Sequence, residues 1–296
     1  MQKITEIIKK KFTVSAEVVP PRNGSDPKEI LDKIKSLKGK VDFISVTKGA
    51  GGSLRGGTLP LSLFAKEQGV IPVAHFVCRE RTKAEIENEV IDYSYLGINN
   101  ILALRGDPPA GAKDEEWDGD YRYAYKLVEQ INNLNYGRYI PRKNIDKTPY
   151  RQGIKTDFCI LVAGHPEDPI EQEIKHIKEK IGAGAQVIMT QMIFSFDEYK
   201  SYVEALKENC IDLPVIAGVR PLVSLKQAES VERFFGLKVN TKIKEILKNA
   251  KSEQEAREKG IRYTKDMISR LKQYGAAGAH LFILDDFRLV EEIKDG

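Results

Sequence analysis

Eight short apolar runs, each followed by a segment of helical period, are the feature that most restricts how this chain can fold. The runs are Phe12–Val18, Val41–Val46, Ile71–Phe76, Asn100–Leu104, Phe158–Val162, Val187–Met189, Pro214–Ala217 and Ala279–Leu284. Helical spacing of apolar residues fills Pro27–Leu37, Leu59–Glu67, Lys83–Leu96, Tyr121–Asn132, Pro169–Ile181, Asp197–Glu208, Leu225–Phe235 and Ser252–Tyr274, with a short tail helix at the end. Strands joined through helices by short connections build a parallel sheet, and eight such units favour closure over an open doubly wound sheet. The pattern therefore predicts an α/β fold, a single-domain (β/α)8 TIM barrel over residues 1–296. One connection, at about 134–155, is long and basic, with Tyr136, Arg138, Arg142 and Lys143. Its length marks it as a functional flap, a partner contact or a poorly ordered segment.

A barrel of this kind presents its chemistry after its strands. Glu17 and Pro20-Pro21-Arg22 follow the first run, Thr47-Lys48-Gly49-Ala50 the second, and His75 and Cys78 close the third. Arg105-Gly106-Asp107 follow the fourth, in the stretch Asn100 to Gly111, and Gly164-His165-Pro166-Glu167 follow the fifth. Gln191 follows the sixth, Arg220-Pro221 the seventh and Asp285-Asp286 the eighth.

Two of these residues carry a physical argument on their own. A carboxylate such as Asp107 at the mouth of an apolar strand is costly to desolvate unless a neighbour needs its charge, the alternative being a turn in which it caps local amides. In the first strand Phe12, Val14, Ala16 and Val18 share one face, and Thr13, Ser15 and Glu17 share the other. The apolar face packs on helices, so Glu17 points into the mouth, where burial raises its pKa toward that of a general acid. The alternative is a Glu paired with a barrel arginine or lysine.

Charge and cysteine usage remove several function classes. Lys and Arg total 47 against 43 Asp and Glu, dispersed along the chain, so no nucleic-acid footprint stands out. No apolar run has the length of a membrane span, and the charged start from Met1 to Lys10 lacks the apolar core of a signal peptide. A cytoplasmic protein is expected. Cys78, Cys159 and Cys210 lie far apart among apolar residues, which fits small core residues rather than a disulfide framework or a zinc site. No metal is expected.

Taken in order, Glu17-Val-Val-Pro-Pro-Arg22, Ser45-Val-Thr47, His75-Phe-Val-Cys78, Leu104-Arg-Gly-Asp-Pro108, His165-Pro-Glu167 and Thr190-Gln191 resemble the methylenetetrahydrofolate reductase family, from Phe12 to the last strand. The resemblance implies an oxidoreductase of folate one-carbon metabolism. In it, FAD passes a hydride from NAD(P)H to 5,10-methylenetetrahydrofolate and yields 5-methyltetrahydrofolate. It implies that Glu17 is the general acid, that Asp107 is a catalytic carboxylate beside flavin and pterin, and that Gln191 hydrogen-bonds the pterin or the nicotinamide. Thr47, His75, Arg105, Gly106, Asp107, Tyr123, Ala124, His165, His176 and Lys180 match positions around FAD, and Glu17, Gln191 and Leu225 match substrate positions.

The chain also departs from the family pattern. Ala16, Val18 and Val19 stand where aromatic residues surround the acid, Leu225 stands where an aromatic stacking residue is common, and Asp285-Asp286 replace an Asn-Arg pair. The segment before His165 is shortened. Most of these changes fall on the folate and nicotinamide face, which leaves an alternative open: a flavin-carrying subunit that reduces methylenetetrahydrofolate only with electrons from a partner protein. An oligomer with itself or with such a partner is expected. A lyase with a Schiff-base lysine is disfavoured, because Lys48 lies after its strand beside glycines and no strand interior holds a lysine. The cysteine spacing disfavours a zinc-dependent methyltransferase.

Overall fold

The computed structural model describes residues 1–49, 53–108, 117–284 and 286–294. A short helix α1 (Ile4–Ile8) leads into β1 (Thr13–Val18), α2 (Lys28–Ser36), β2 (Phe43–Val46), α3 (Thr58–Glu67), β3 (Pro72–Val77), α4 (Lys83–Tyr95), β4 (Asn100–Leu104) and α5 (Ala124–Asn135). The hairpin β5 (Arg138–Tyr139) and β6 (Arg151–Gln152) follows, then β7 (Cys159–Gly164), α6 (Ile170–Ala183), β8 (Val187–Ile193), α7 (Phe196–Glu208) and β9 (Val215–Val219). The chain finishes with α8 (Leu225–Phe235), α9 (Thr241–Lys248), α10 (Glu253–Tyr274), β10 (Gly278–Leu281) and α11 (Arg288–Lys294). Eight parallel strands close in the order β1-β10-β9-β8-β7-β4-β3-β2, so the expected barrel is present.

The two-residue period of each strand sorts side chains between two cores. Ala16, Val18, Ile44, Val46, Ala74, Phe76, Ile101 and Ala103 pack outward against the helices. Phe43, Val73, Leu102, Leu161, Val187, Met189 and Ile216 fill the lower interior, where Ile4 and Ile7 of α1 join them. That helix closes the end of the barrel where strands begin. The Ile4 amide donates to Asn100 Oδ1 at 3.0 Å, and Asn100 Nδ2 donates to the Gln2 carbonyl at 3.1 Å. The floor is thus sealed by apolar contact and an asparagine clamp, leaving the opposite end for chemistry.

Several details differ from the sequence pattern. The strand expected to end at Met189 continues to Ile193 through a register shift between Met189 and Met192. The last strand ends at Leu281, not Leu284, where a positive φ turns the chain. Helix α5 opens at Ala124, because Tyr123 has extended backbone and serves as its N-cap. Helix α9 was absent from the pattern; Ile243 and Leu247 anchor it to a cluster with Val231 and Ala256. The basic connection contains an ordered hairpin, held to α4 by the buried Glu87, which accepts the Ile140 amide at 2.8 Å and Arg151 Nη2 at 3.4 Å. Cys78 and Cys159 are buried as expected, whereas Cys210 is exposed with φ 61°, in the turn after α7.

Candidate active site

On the side of the mouth formed by β10, β1, β2 and β3, the inward positions are polar and buried. Glu17 is 8% exposed, and burial raises its pKa to about 7 against an opposing pull from the charge of Arg220. One level below it, His280 is fully buried, with Nδ1 2.9 Å from Ser15 Oγ and Nε2 3.1 Å from Ser45 Oγ. Burial, with the charge of His75 adding to it, pulls His280 down to about 3, so its ring is neutral and uses one nitrogen as donor and the other as acceptor. His75 is likewise pulled down to about 4 by burial. Two buried atoms here have no hydrogen-bond partner among the described residues: His75 Nε2 and Thr47 Oγ1. The Thr47 backbone is fixed from both sides, its amide donating to the Val18 carbonyl at 3.0 Å and its carbonyl accepting Thr58 Oγ1 at 2.7 Å.

The other side of the mouth carries mostly charged groups. Arg105 lies with its guanidinium 5.4 Å from the Trp117 ring centre, and Arg79 flanks the same ring at 4.7 Å. Gly106 has φ 97°, and a Cβ there would strike Val77 Cγ1, so glycine is required by backbone and neighbour alike. Asp107 is exposed. The desolvation cost expected for it does not arise, because the strand ends three residues earlier and the carboxylate stands in solvent; Glu17 bears that cost instead. Tyr123, 46% exposed, stacks on Tyr125 with ring centres 6.1 Å apart, and Ala124 opens α5 behind it. Ala50, Pro109 to Gly111 and Asp285 lie outside the described residues.

At the end of β7, His165 Nδ1 is 3.0 Å from Glu167 Oε1. Burial alone would lower its pKa, but the hydrogen bond and charge of Glu167 outweigh it and hold His165 above its usual value. Its amide donates to Glu173 Oε1 at 2.8 Å, and Tyr202 donates to the same oxygen at 2.7 Å. Lys180 is a buried lysine, not a solvated one: Nζ donates to the Ala163 carbonyl at 2.8 Å, and burial lowers its pKa. His176 lies one turn before it on α6, half-buried on the same face.

Gln191 sits in the β8 bulge, a device that re-aims a side chain. Its Oε1 accepts the Met192 amide at 2.9 Å, while Thr190 Oγ1 accepts the Gly218 amide at 2.8 Å. A Cβ at Gly218 would collide with the carbonyls of Thr190 and Gln191 and with the Phe282 ring, so this glycine admits the bulge. Leu225 opens α8 and leans on the cluster of Met192, Phe194 and Leu222. Asp286 is turned away into an ion pair with Arg257 of α10, at 2.7 Å, and a second with Arg288 at 3.3 Å. The Pro21-Arg22 turn lines a cleft of about 540 Å³ between α2 and α3.

The ordered motifs therefore lie on one end of one barrel. A model of the methylenetetrahydrofolate reductase family matches residues 1–295. The chain belongs to this family. It is 29% identical over 297 residues to methylenetetrahydrofolate reductase 1 of Schizosaccharomyces pombe, covering 96% of this chain and 46% of that protein. Identity is 28% over 291 residues with methylenetetrahydrofolate reductase (NADH) 1 of Arabidopsis thaliana, at 92% and 46% coverage. With the 5,10-methylenetetrahydrofolate reductase of Salmonella typhimurium it is 27% over 284 residues, covering 93% of this chain and 86% of that protein. The chain thus spans about half the length of the yeast and plant relatives and most of the bacterial one. The solved structure of an uncharacterized protein from Clostridium thermocellum, which binds two copies of 5-methyl-5,6,7,8-tetrahydrofolic acid, shares the fold, with a TM-score of 0.65, 13% identity, and coverage of 99% of this chain and 98% of that one.

Residue-type reasoning missed three members of the mouth. Ser45 and His280 share the inward parity of their strands with Phe43 and Phe282, so extending the alternation argument from β1 to all strands would have found them. Glu173 reads as an ordinary helix glutamate, and nothing in its local sequence announces that it is buried under His165.

Proposed function

We propose that this protein reduces 5,10-methylenetetrahydrofolate to 5-methyltetrahydrofolate with FAD as cofactor and a reduced nicotinamide as electron donor. The observation that carries the reading is the buried Glu17 carboxyl, poised near neutral pH at the mouth of a family barrel. FAD fits the residues present: Thr47 Oγ1 and His75 Nε2, at neighbouring strands, are buried polar atoms lacking partners among the described residues, as expected of groups that meet a polar-edged ring. Arg105, His165, His176 and Lys180 supply cationic or donor groups suited to its pyrophosphate and ribose, Gly106 a side-chain-free approach, and Tyr123 and Ala124 a flank. When bound, FAD supplies the hydride relay between nicotinamide and folate. The nicotinamide donor is supported by the name of the Arabidopsis relative.

The chain's own residues perform the acid chemistry. Glu17 gives its proton to the departing nitrogen of the methylene bridge, whose C–N electron pair moves onto that nitrogen, leaving an iminium carbon as hydride acceptor. A carboxyl with a pKa near 7 is about half protonated at neutral pH, the condition under which a general acid is both present and willing to donate. Asp107 supplies negative charge at the rim for the iminium, and Gln191, fixed by the bulge, presents its amide to the pterin. Purified protein should be yellow or become so with FAD. Colourless protein with no heat of FAD binding in calorimetry would overturn the cofactor assignment.

A further inference from the structure

Arg220, which follows the seventh barrel strand, has a placement that gives it a task. On β9, Ile216 joins the lower barrel interior, while Ala217 and Val219 pack among the helices. The two-residue period therefore carries Arg220 inward at the rim. It is as buried as Glu17, each 8% exposed. The pairings Ala16 with Leu281 and Leu281 with Val219 set Glu17, Phe282 and Arg220 at one level on three neighbouring strands. Strands β1 and β9 flank β10, so their backbones stand about 10 Å apart. The arginine reaches the strand between them, its Nη1 donating to the Phe282 carbonyl. The inward groups around Glu17 are Ser15 on its own strand, Ser45 on β2 and Thr47 just after it, His75 on β3, His280 on β10 and Phe282 just after it, and Arg220 just after β9. Among these described residues Arg220 is the one with a permanent charge.

We propose that Arg220 is a positioning residue that sets the pH range over which Glu17 can deliver a proton, by stabilising the Glu17 carboxylate from across β10. The proposal rests on the reading of Glu17 as the acid. When Glu17 gives up its proton, the negative charge left in a desolvated site faces a guanidinium, so the departing proton does not leave an uncompensated buried carboxylate. Without that cation Glu17 would hold its proton more tightly, remain protonated further into the alkaline range and donate more slowly at neutral pH. The direction agrees with the opposing pulls of burial and Arg220 on this group.

The test is a carbon-13 titration of protein labelled at its glutamate carboxyls, with the Glu17 signal assigned by its loss in Glu17→Gln. In Arg220→Met the Glu17 midpoint should rise by about one unit or more, and in Arg220→Lys it should stay within about half a unit of the parent. The alkaline limb of folate reduction should move with it. Equal midpoints in parent and Arg220→Met, or equal shifts in the Met and Lys variants, overturn the proposal. Arg220→Gln replaces Arg220→Met if the latter does not fold. Failure of both neutral variants to fold while Arg220→Lys folds would make the charge a requirement of the barrel, which also overturns it. The titration needs no folate turnover: a shifted midpoint in a protein inert toward methylenetetrahydrofolate sustains the Arg220 to Glu17 coupling and sinks the proposed reaction instead.

Discussion

The two sides of the barrel mouth use polar residues in opposite ways. Along β10, β1, β2 and β3 the groups are buried and mostly neutral: Glu17, Thr47 and His75 with few partners, and His280 held by two serines. Across the mouth, Asp107 stands in solvent, His165 is paired with Glu167, and Lys180 is tied to the Ala163 carbonyl. Burial with few partners shifts proton affinity, whereas ion pairing and exposure hold charge in place. On the proposed function, one side moves a proton and the other holds an anion.

The sharpest way to break that division is Glu17→Gln. The variant keeps size and polarity but has no proton to give, so flavin oxidation by methylenetetrahydrofolate should fall by about two to four orders of magnitude, while flavin reduction by the nicotinamide survives within a few-fold. Stopped-flow absorbance follows each half-reaction separately. Equal loss in both would make Glu17 a structural member of the mouth, and near-normal folate turnover would move the acid elsewhere.

The same residue sharpens the contrast through stability. His75 and His280 are held below their unfolded pKa of about 6.5, so the unfolded chain binds more protons at both and folding weakens as pH falls through that value toward their folded values of about 4 and 3. Glu17, raised from 4.5 to about 7, has the opposite sign and favours folding as pH drops between those limits. From about pH 6.5 to 4.5 these groups leave a net of one proton, a loss of roughly 1.4 kcal/mol per pH unit. Glu17→Gln removes the opposing group, so the slope should steepen by roughly 1.4 kcal/mol per pH unit in urea melts recorded across this range. Parallel slopes in parent and variant would mean that the polar side is not desolvated.

The anion side is probed more gently by Lys180→Met, which deletes a charged donor while keeping the aliphatic stem. FAD affinity should weaken about tenfold, the weight of one charge-assisted hydrogen bond. A lower melting temperature with unchanged FAD affinity would identify Lys180 as a brace between α6 and β7.

The barrel was legible because eight apolar runs alternate with helices, and Glu17 because Ser15 and Thr13 share its parity. Boundaries failed where the backbone leaves its period: the bulge at Gln191 lengthens β8, and the positive φ of Leu284 shortens β10. The exposure of Asp107 was not legible, because sequence reports that a carboxylate follows an apolar strand but not how far the chain has risen out of the mouth by then. His280 escaped because its significance comes from a strand paired with β1 only in three dimensions, and the task of Arg220, which follows the seventh strand, was not legible because β10 links that strand to β1 only in the closed barrel.

Glu17 and its neighbours also meet late in the life of the chain. Ser15 and His280 are 265 residues apart. At synthesis rates of about 5–20 residues per second, β1 waits on the order of 10–50 s for the strand that completes its sheet. During that interval Thr13–Val18 is an unpaired edge, the part of a nascent barrel most open to mispairing. The acid site comes into being at the closing step itself, so a variant that weakens the β1–β10 seam should cost yield of folded protein in the cell before it costs turnover per molecule.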